Sequence, residues 1–100
     1  MVLECTIENF LDEQVRLTGG FTVKLEPVGN KGIPDRLVVL PGSVWFVELK
    51  RPRGGVLARL QKFWHNRLTT LGANYVKIST KEQVREFIHK ANIQMGDTTS

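Results

Sequence analysis

The sequence predicts a single mixed α/β domain with elements ordered α-β-β-β-α-β-α, and three observations point to it. The chain has 100 residues, 41% hydrophobic and 24% charged, which is enough for one thin core and too little for two. Apolar residues recur at helical spacing in two segments, a capping box opens a third, and alternating or β-branched runs mark four others. A strand, a helix and another strand follow one another over 44–50, 56–71 and 74–79, which calls for a right-handed crossover between parallel strands. A hairpin before it adds antiparallel strands, so the sheet is mixed with helices packed on it.

Each element has its own signal. Leu3, Ile7, Phe10, Leu11 and Val15 form a helical stripe that Gly19-Gly20 ends. Phe21 to Glu26 alternates apolar and polar, the pattern of a half-buried strand. Pro27 to Pro34 holds two prolines, two glycines and an asparagine, and is a loop. Arg36–Leu40 and Val44–Lys50 flank Pro41-Gly42 as a hairpin. After the basic loop Arg51–Gly55, Leu57, Leu60, Trp64, Leu68 and Leu71 line one face of a second helix, with Gly72 behind it. Asn74–Ser79 is a short strand, and Thr80 with Gln83 makes a capping box for a third helix through about Asn92. The expected organisation is one domain over 1–93 and a polar tail over 94–100.

Charge and composition narrow the function. Fourteen Lys and Arg against ten Asp and Glu give +4, and the pI is near 9.6. A small basic domain suits a polyanionic partner, most often nucleic acid. One cysteine, Cys5, excludes an internal disulfide and a cysteine-based zinc site, and fits an intracellular location. No apolar run reaches the ~20 residues of a membrane span, and the N-terminus lacks the basic region of a secretory signal. No glycine-rich phosphate loop is present, so no nucleotide cofactor is implied.

The chemistry concentrates in the hairpin. Glu48 and Lys50 share one face of their strand while Leu49 faces the other way with Trp45 and Val47. If the hairpin loop spans Leu40 to Ser43, Asp35 lies across from Glu48 and both carboxylates converge beside an ammonium; a three-residue loop would put Asp35 on the wrong face. Two carboxylates and a backbone carbonyl suit a hard cation, Mg²⁺ or Mn²⁺ in its place. Such an ion can polarise a phosphoryl oxygen and acidify a water, and Lys50 can orient that water or stabilise developing charge. Taken singly, Asp35 also reads as a turn residue, and Glu48 with Lys50 as a solvated ion pair.

Gly32-Ile33-Pro34-Asp35-Arg36, Val47-Glu48-Leu49-Lys50 and Leu60-Gln61 resemble the virus-type replication-repair nuclease domain, a compact branch of the PD-(D/E)xK nucleases. The resemblance extends to Glu4, Gly19-Gly20, Lys24 and the Gly72–Ile78 segment, from about Leu3 to Phe87. It implies a restriction-endonuclease-like core. It implies Asp35 and Glu48 as Mg²⁺ ligands with the Leu49 carbonyl, Lys50 assisting attack on the phosphodiester, and Gln61 and an acid of the first helix completing the site. That acid is Glu4 by position, with Glu8 one turn away as its substitute. Short members of this kind are typically phage proteins, working in the host cytoplasm, that act on branched DNA as homodimers. The expected function is therefore a Mg²⁺-dependent, Holliday-junction-resolvase-like endonuclease. The rivals are a non-enzymatic basic DNA-binding module on the same scaffold and a general DNA nuclease.

Around this site, Lys31, Arg51 and Arg53 sit in loops suited to phosphate contacts, and Lys24 on its strand is a fourth candidate. For each, a solvated surface position is the alternative. Gln61 lies roughly 40° around the helix from Leu57, at the edge of the apolar stripe, where it can pack on the sheet and still reach a polar site. His65 is on the Gln61 side of the same helix and reads as a surface or half-buried histidine.

Overall fold

The fold was obtained as a computed structural model, which describes residues 4–25, 32–49 and 55–98, with side chains described over 6–25, 32–49 and 58–92. The elements are α1 (Glu4–Leu17), β1 (Phe21–Lys24), β2 (Arg36–Leu40), β3 (Ser43–Leu49), α2 (Gly55–Thr70), β4 (Asn74–Ile78) and α3 (Lys81–Thr98). The sheet runs β1-β2-β3-β4, with β1, β2 and β3 antiparallel and β3 and β4 parallel. This is the mixed sheet and the element order that the sequence predicts.

Local chemistry sets the ends of the elements. Gly19 has φ 96°, the N–H of Gly20 donates to Val15 O at 3.0 Å and that of Gly19 to Arg16 O at 3.0 Å, the Schellman pattern. Gly72 ends α2 the same way, with Ala73 N–H on Leu68 O at 2.9 Å. The Thr80 hydroxyl accepts from Gln83 N–H at 3.1 Å, while Gln83 Oε1 accepts from the N–H of Thr80 and of Ser79. The capping box thus forms, and α3 continues past the expected end near Asn92 to Thr98. The hairpin turns on Pro41-Gly42, with Gly42 at φ 88°. Pro fixes the first φ near −65° and Gly takes the positive one, the type II combination.

The core lies between the sheet and the α1–α3 pair. Leu11 and Val15 of α1 meet Val38 and Leu40 of β2, Trp45, Val47 and Leu49 of β3, Ile78 of β4, and Val84, Phe87 and Ala91 of α3. Trp45 and Phe87 pack edge to face at 5.2 Å. On the other face α2 packs towards β4, and Leu60, Trp64 and Leu68 are only half-buried there. Leu71 falls beyond the helix end and is 77% exposed, so it does not join the expected stripe.

The face of β1 is also the reverse of a simple reading. Thr22 and Lys24 pair with Val38 and Arg36 and so share the α1 face, where the Thr22 hydroxyl donates to Asp12 Oδ1 at 2.8 Å. Phe21 and Val23 share the opposite face with Val39, Leu37, Val44 and Phe46, and among the described residues no helix covers this end, leaving Phe21 57% and Val23 42% exposed. Alternation divides the strand correctly, but α2 stands over the other edge of the sheet.

Candidate active site

The site is built where β2 begins and β3 ends. The hairpin pairs Leu40 with Ser43 and Arg36 with Val47, and this register continues to set Asp35 opposite Glu48. Asp35 Oδ2 accepts from the backbone N–H of Leu49 at 2.8 Å, which ties the aspartate to the neighbouring strand end. Glu48 is 3% exposed, on the sheet face that α2 covers. A carboxylate this deep needs polar partners. The Gln61 amide of α2 supplies one, donating to Glu48 Oε2 at 2.6 Å.

Gly32 holds this helix against the strand. It is buried with φ +87°, and a Cβ there would stand 2.6 Å from the carbonyl carbon and Cβ of Leu60 and 2.8 Å from Gln61 N. Only a residue without a side chain lets the segment before Asp35 lie against the α2 backbone, at the residue that bonds Glu48. Pro34, fully buried, follows in the same approach.

Tyr75 is the residue that sequence reasoning left among ordinary strand positions. It pairs with Phe46 on the Glu48 face. Its ring packs on His65 at 4.4 Å, one helical turn beyond Gln61, and the buried hydroxyl has no hydrogen-bond partner among the described residues. Burial holds the phenol proton far above its ordinary pKa, and the charges of Glu48 and then Asp35 add to the effect. The available signal was register: a parallel strand two residues out of step with Glu48 returns to its face.

On the other side of the sheet, Arg36 is 8% exposed and its Nη2 meets Glu8 Oε1 at 3.3 Å and Asp12 Oδ2 at 3.5 Å. Glu8, the proposed substitute for Glu4, is thus engaged with Arg36 on the α1 face. Glu4 is the first residue of α1, one turn earlier. Lys24 is exposed on that same α1 face, across the sheet from Glu48. The Glu4 side chain and all of Lys31, Lys50, Arg51 and Arg53 lie outside the described residues. Among the described residues no three His, Cys, Asp or Glu side chains gather as a metal cluster. No described helix is long and apolar enough to cross a membrane.

A four-stranded mixed sheet flanked by three helices in this order is a restriction-endonuclease-like nuclease fold. No family model matches the chain. It is 37% identical over 83 residues to "Putative nuclease p44" of Acyrthosiphon pisum secondary endosymbiont phage 1, covering 82% of this chain and 88% of that one. A solved structure described as a VRR_NUC domain superposes with a TM-score of 0.75 at 33% identity, covering 86% of this chain and 94% of the other. The chain belongs to the virus-type replication-repair nuclease (VRR_NUC) family. It is a nuclease domain.

Proposed function

We propose that the protein is a Mg²⁺-dependent endonuclease that hydrolyses phosphodiester bonds in branched DNA, in the manner of a Holliday-junction resolvase. The observation that carries this reading is the meeting of Asp35 and Glu48 at adjacent strand ends, with Gln61 bonded to Glu48, in a chain of a nuclease family. The donor set fits a hard cation: two carboxylates at neighbouring strand ends, one of them, Glu48, buried and oriented by Gln61, offer hard oxygen ligands. Asp35, Glu48 and the Leu49 carbonyl would hold Mg²⁺, with Glu4 beside them. When bound, the ion supplies Lewis acidity to the phosphoryl group and to a water.

The chain's own residues do the rest. Gln61 fixes the orientation of Glu48, and the Leu49 N–H fixes that of Asp35. Lys50 is assigned to the attacking water or to the charge that develops on phosphorus, and Lys31, Arg51 and Arg53 to the phosphates of the bound strands. Lys24 stands on the far face, where only DNA wrapping the β1 edge would meet it. A four-way junction has approximate two-fold symmetry and needs two nicks, so a C₂ homodimer presents two matching sites. Phe21, Val23 and Val44, apolar and exposed on one sheet face, offer a surface for the second copy.

Labelled duplex, flap, splayed and four-way DNAs incubated with Mg²⁺ or EDTA test the reading. Paired nicks on the four-way junction, dependent on Mg²⁺ and faster than on duplex, are expected. Binding without cleavage would favour the non-enzymatic module, and equal cleavage of all substrates would favour a general nuclease.

A further inference from the structure

Tyr75 is the chain's one tyrosine, and its place in the site is unlike that of a packing residue. On the parallel strand β4 it lies one same-face step from the Glu48–Lys77 pair, about 7 Å along the strand. His65 fixes the ring from one side, and the hydroxyl is buried with no partner among the described residues. Native folds rarely leave a buried hydroxyl unsatisfied, because it has lost its water and gained nothing. Phenylalanine would fill the same space without that cost. The hydroxyl belongs to a residue on the sheet face that carries Glu48, and its burial keeps the proton on, so it can only be a donor to an anion. An anionic phosphodiester approaching Glu48 and Asp35 needs donors to offset their repulsion.

We propose that the Tyr75 hydroxyl is a further binding group of this site, donating a hydrogen bond to a phosphodiester oxygen of the bound DNA. This rests on the nuclease reading, and the test separates the two. The single tyrosine is labelled with ¹³C at Cζ, and its signal is followed with Ca²⁺ alone and then with four-way-junction DNA and Ca²⁺ together. Tyr75→Phe is compared with wild type for melting in EDTA and for single-turnover cleavage with Mg²⁺.

The expected results are a ¹³C signal that moves only when DNA is added, a variant that melts no lower than wild type, and a cleavage rate down about tenfold, the factor for one hydrogen bond made in the transition state. A signal that moves fully with Ca²⁺ alone would overturn the phosphodiester assignment, since the partner would then be water or ligand at the cation. A variant that melts lower, with the ¹³C signal unmoved by DNA, would make Tyr75 a structural residue. If the wild type cleaves no DNA, the nuclease reading falls, and the ¹³C response to DNA still decides for or against Tyr75.

Discussion

Gly32→Ala should damage the site through geometry alone. The added Cβ would meet the Leu60 carbonyl carbon and Cβ at 2.6 Å and Gln61 N at 2.8 Å, where carbon contacts ordinarily settle near 3.5–4.0 Å. The obstacle is helix backbone, which cannot rotate aside, so α2 must retreat by roughly 1 Å. Two costs combine. Alanine at φ +87° costs roughly 1–2 kcal/mol, and overpacking adds about 1–3 kcal/mol. Gly72 isolates the first cost, because it has φ +86° and nothing within 4 Å of its would-be Cβ. In a domain of this size each 1 kcal/mol lowers Tm by about 4–8 °C. Gly72→Ala should therefore lose several degrees and Gly32→Ala about twice that or more, measured by thermal and urea unfolding of both. The retreat of α2 also carries Gln61 away from Glu48, and a displacement of about 1 Å can cost on the order of 100-fold in rate. Single-turnover cleavage by Gly32→Ala, measured well below its Tm, should fall accordingly while Gly72→Ala cleaves normally. Equal melting of the two variants would refute the packing of the Gly32 segment on α2.

Glu48→Gln keeps an acceptor for Gln61 and removes a buried charge, so in EDTA it should melt at or above the wild-type temperature while losing the Mg²⁺-induced rise in Tm and all cleavage; an undiminished Mg²⁺ shift would exclude Glu48 as a ligand. Lys50→Ala should abolish turnover yet retain calorimetric Mn²⁺ binding and DNA affinity, and a normal rate at saturating DNA would reduce Lys50 to a phosphate contact. Alkaline pH reports on Tyr75. Its raised folded pKa means that stability is fully present below the unfolded value near 10 and is lost above it, because the unfolded chain ionises first. Urea unfolding of the wild type should weaken by up to about 1.4 kcal/mol per pH unit above pH 10, and Tyr75→Phe should lack that part of the fall.

Much of the architecture was legible because its causes are local. Periodicity marks helices and strands, Gly19 and Gly72 close their helices through positive φ, and the Thr80–Gln83 box opens α3. Pro41-Gly42 permits a two-residue turn, and that turn carries Asp35 opposite Glu48 as the conditional register required. The spacing of Gln61 from Leu57 likewise contained its position at the edge of a buried face. Tertiary packing decided what periodicity cannot express, namely which face of each element is covered and by what. Thr22 lies inward and Phe21 outward because α1 stands over one face of β1 and α2 over the far edge of the other. Arg36 is buried because α1 brings Glu8 and Asp12 to it from 28 and 24 residues away. The roles of Gly32 and Tyr75 arise from contacts with α2, its backbone at Leu60 and Gln61 for the first and the His65 ring for the second. A sequence records the faces of its own elements, and only the packed chain determines which of those faces meet.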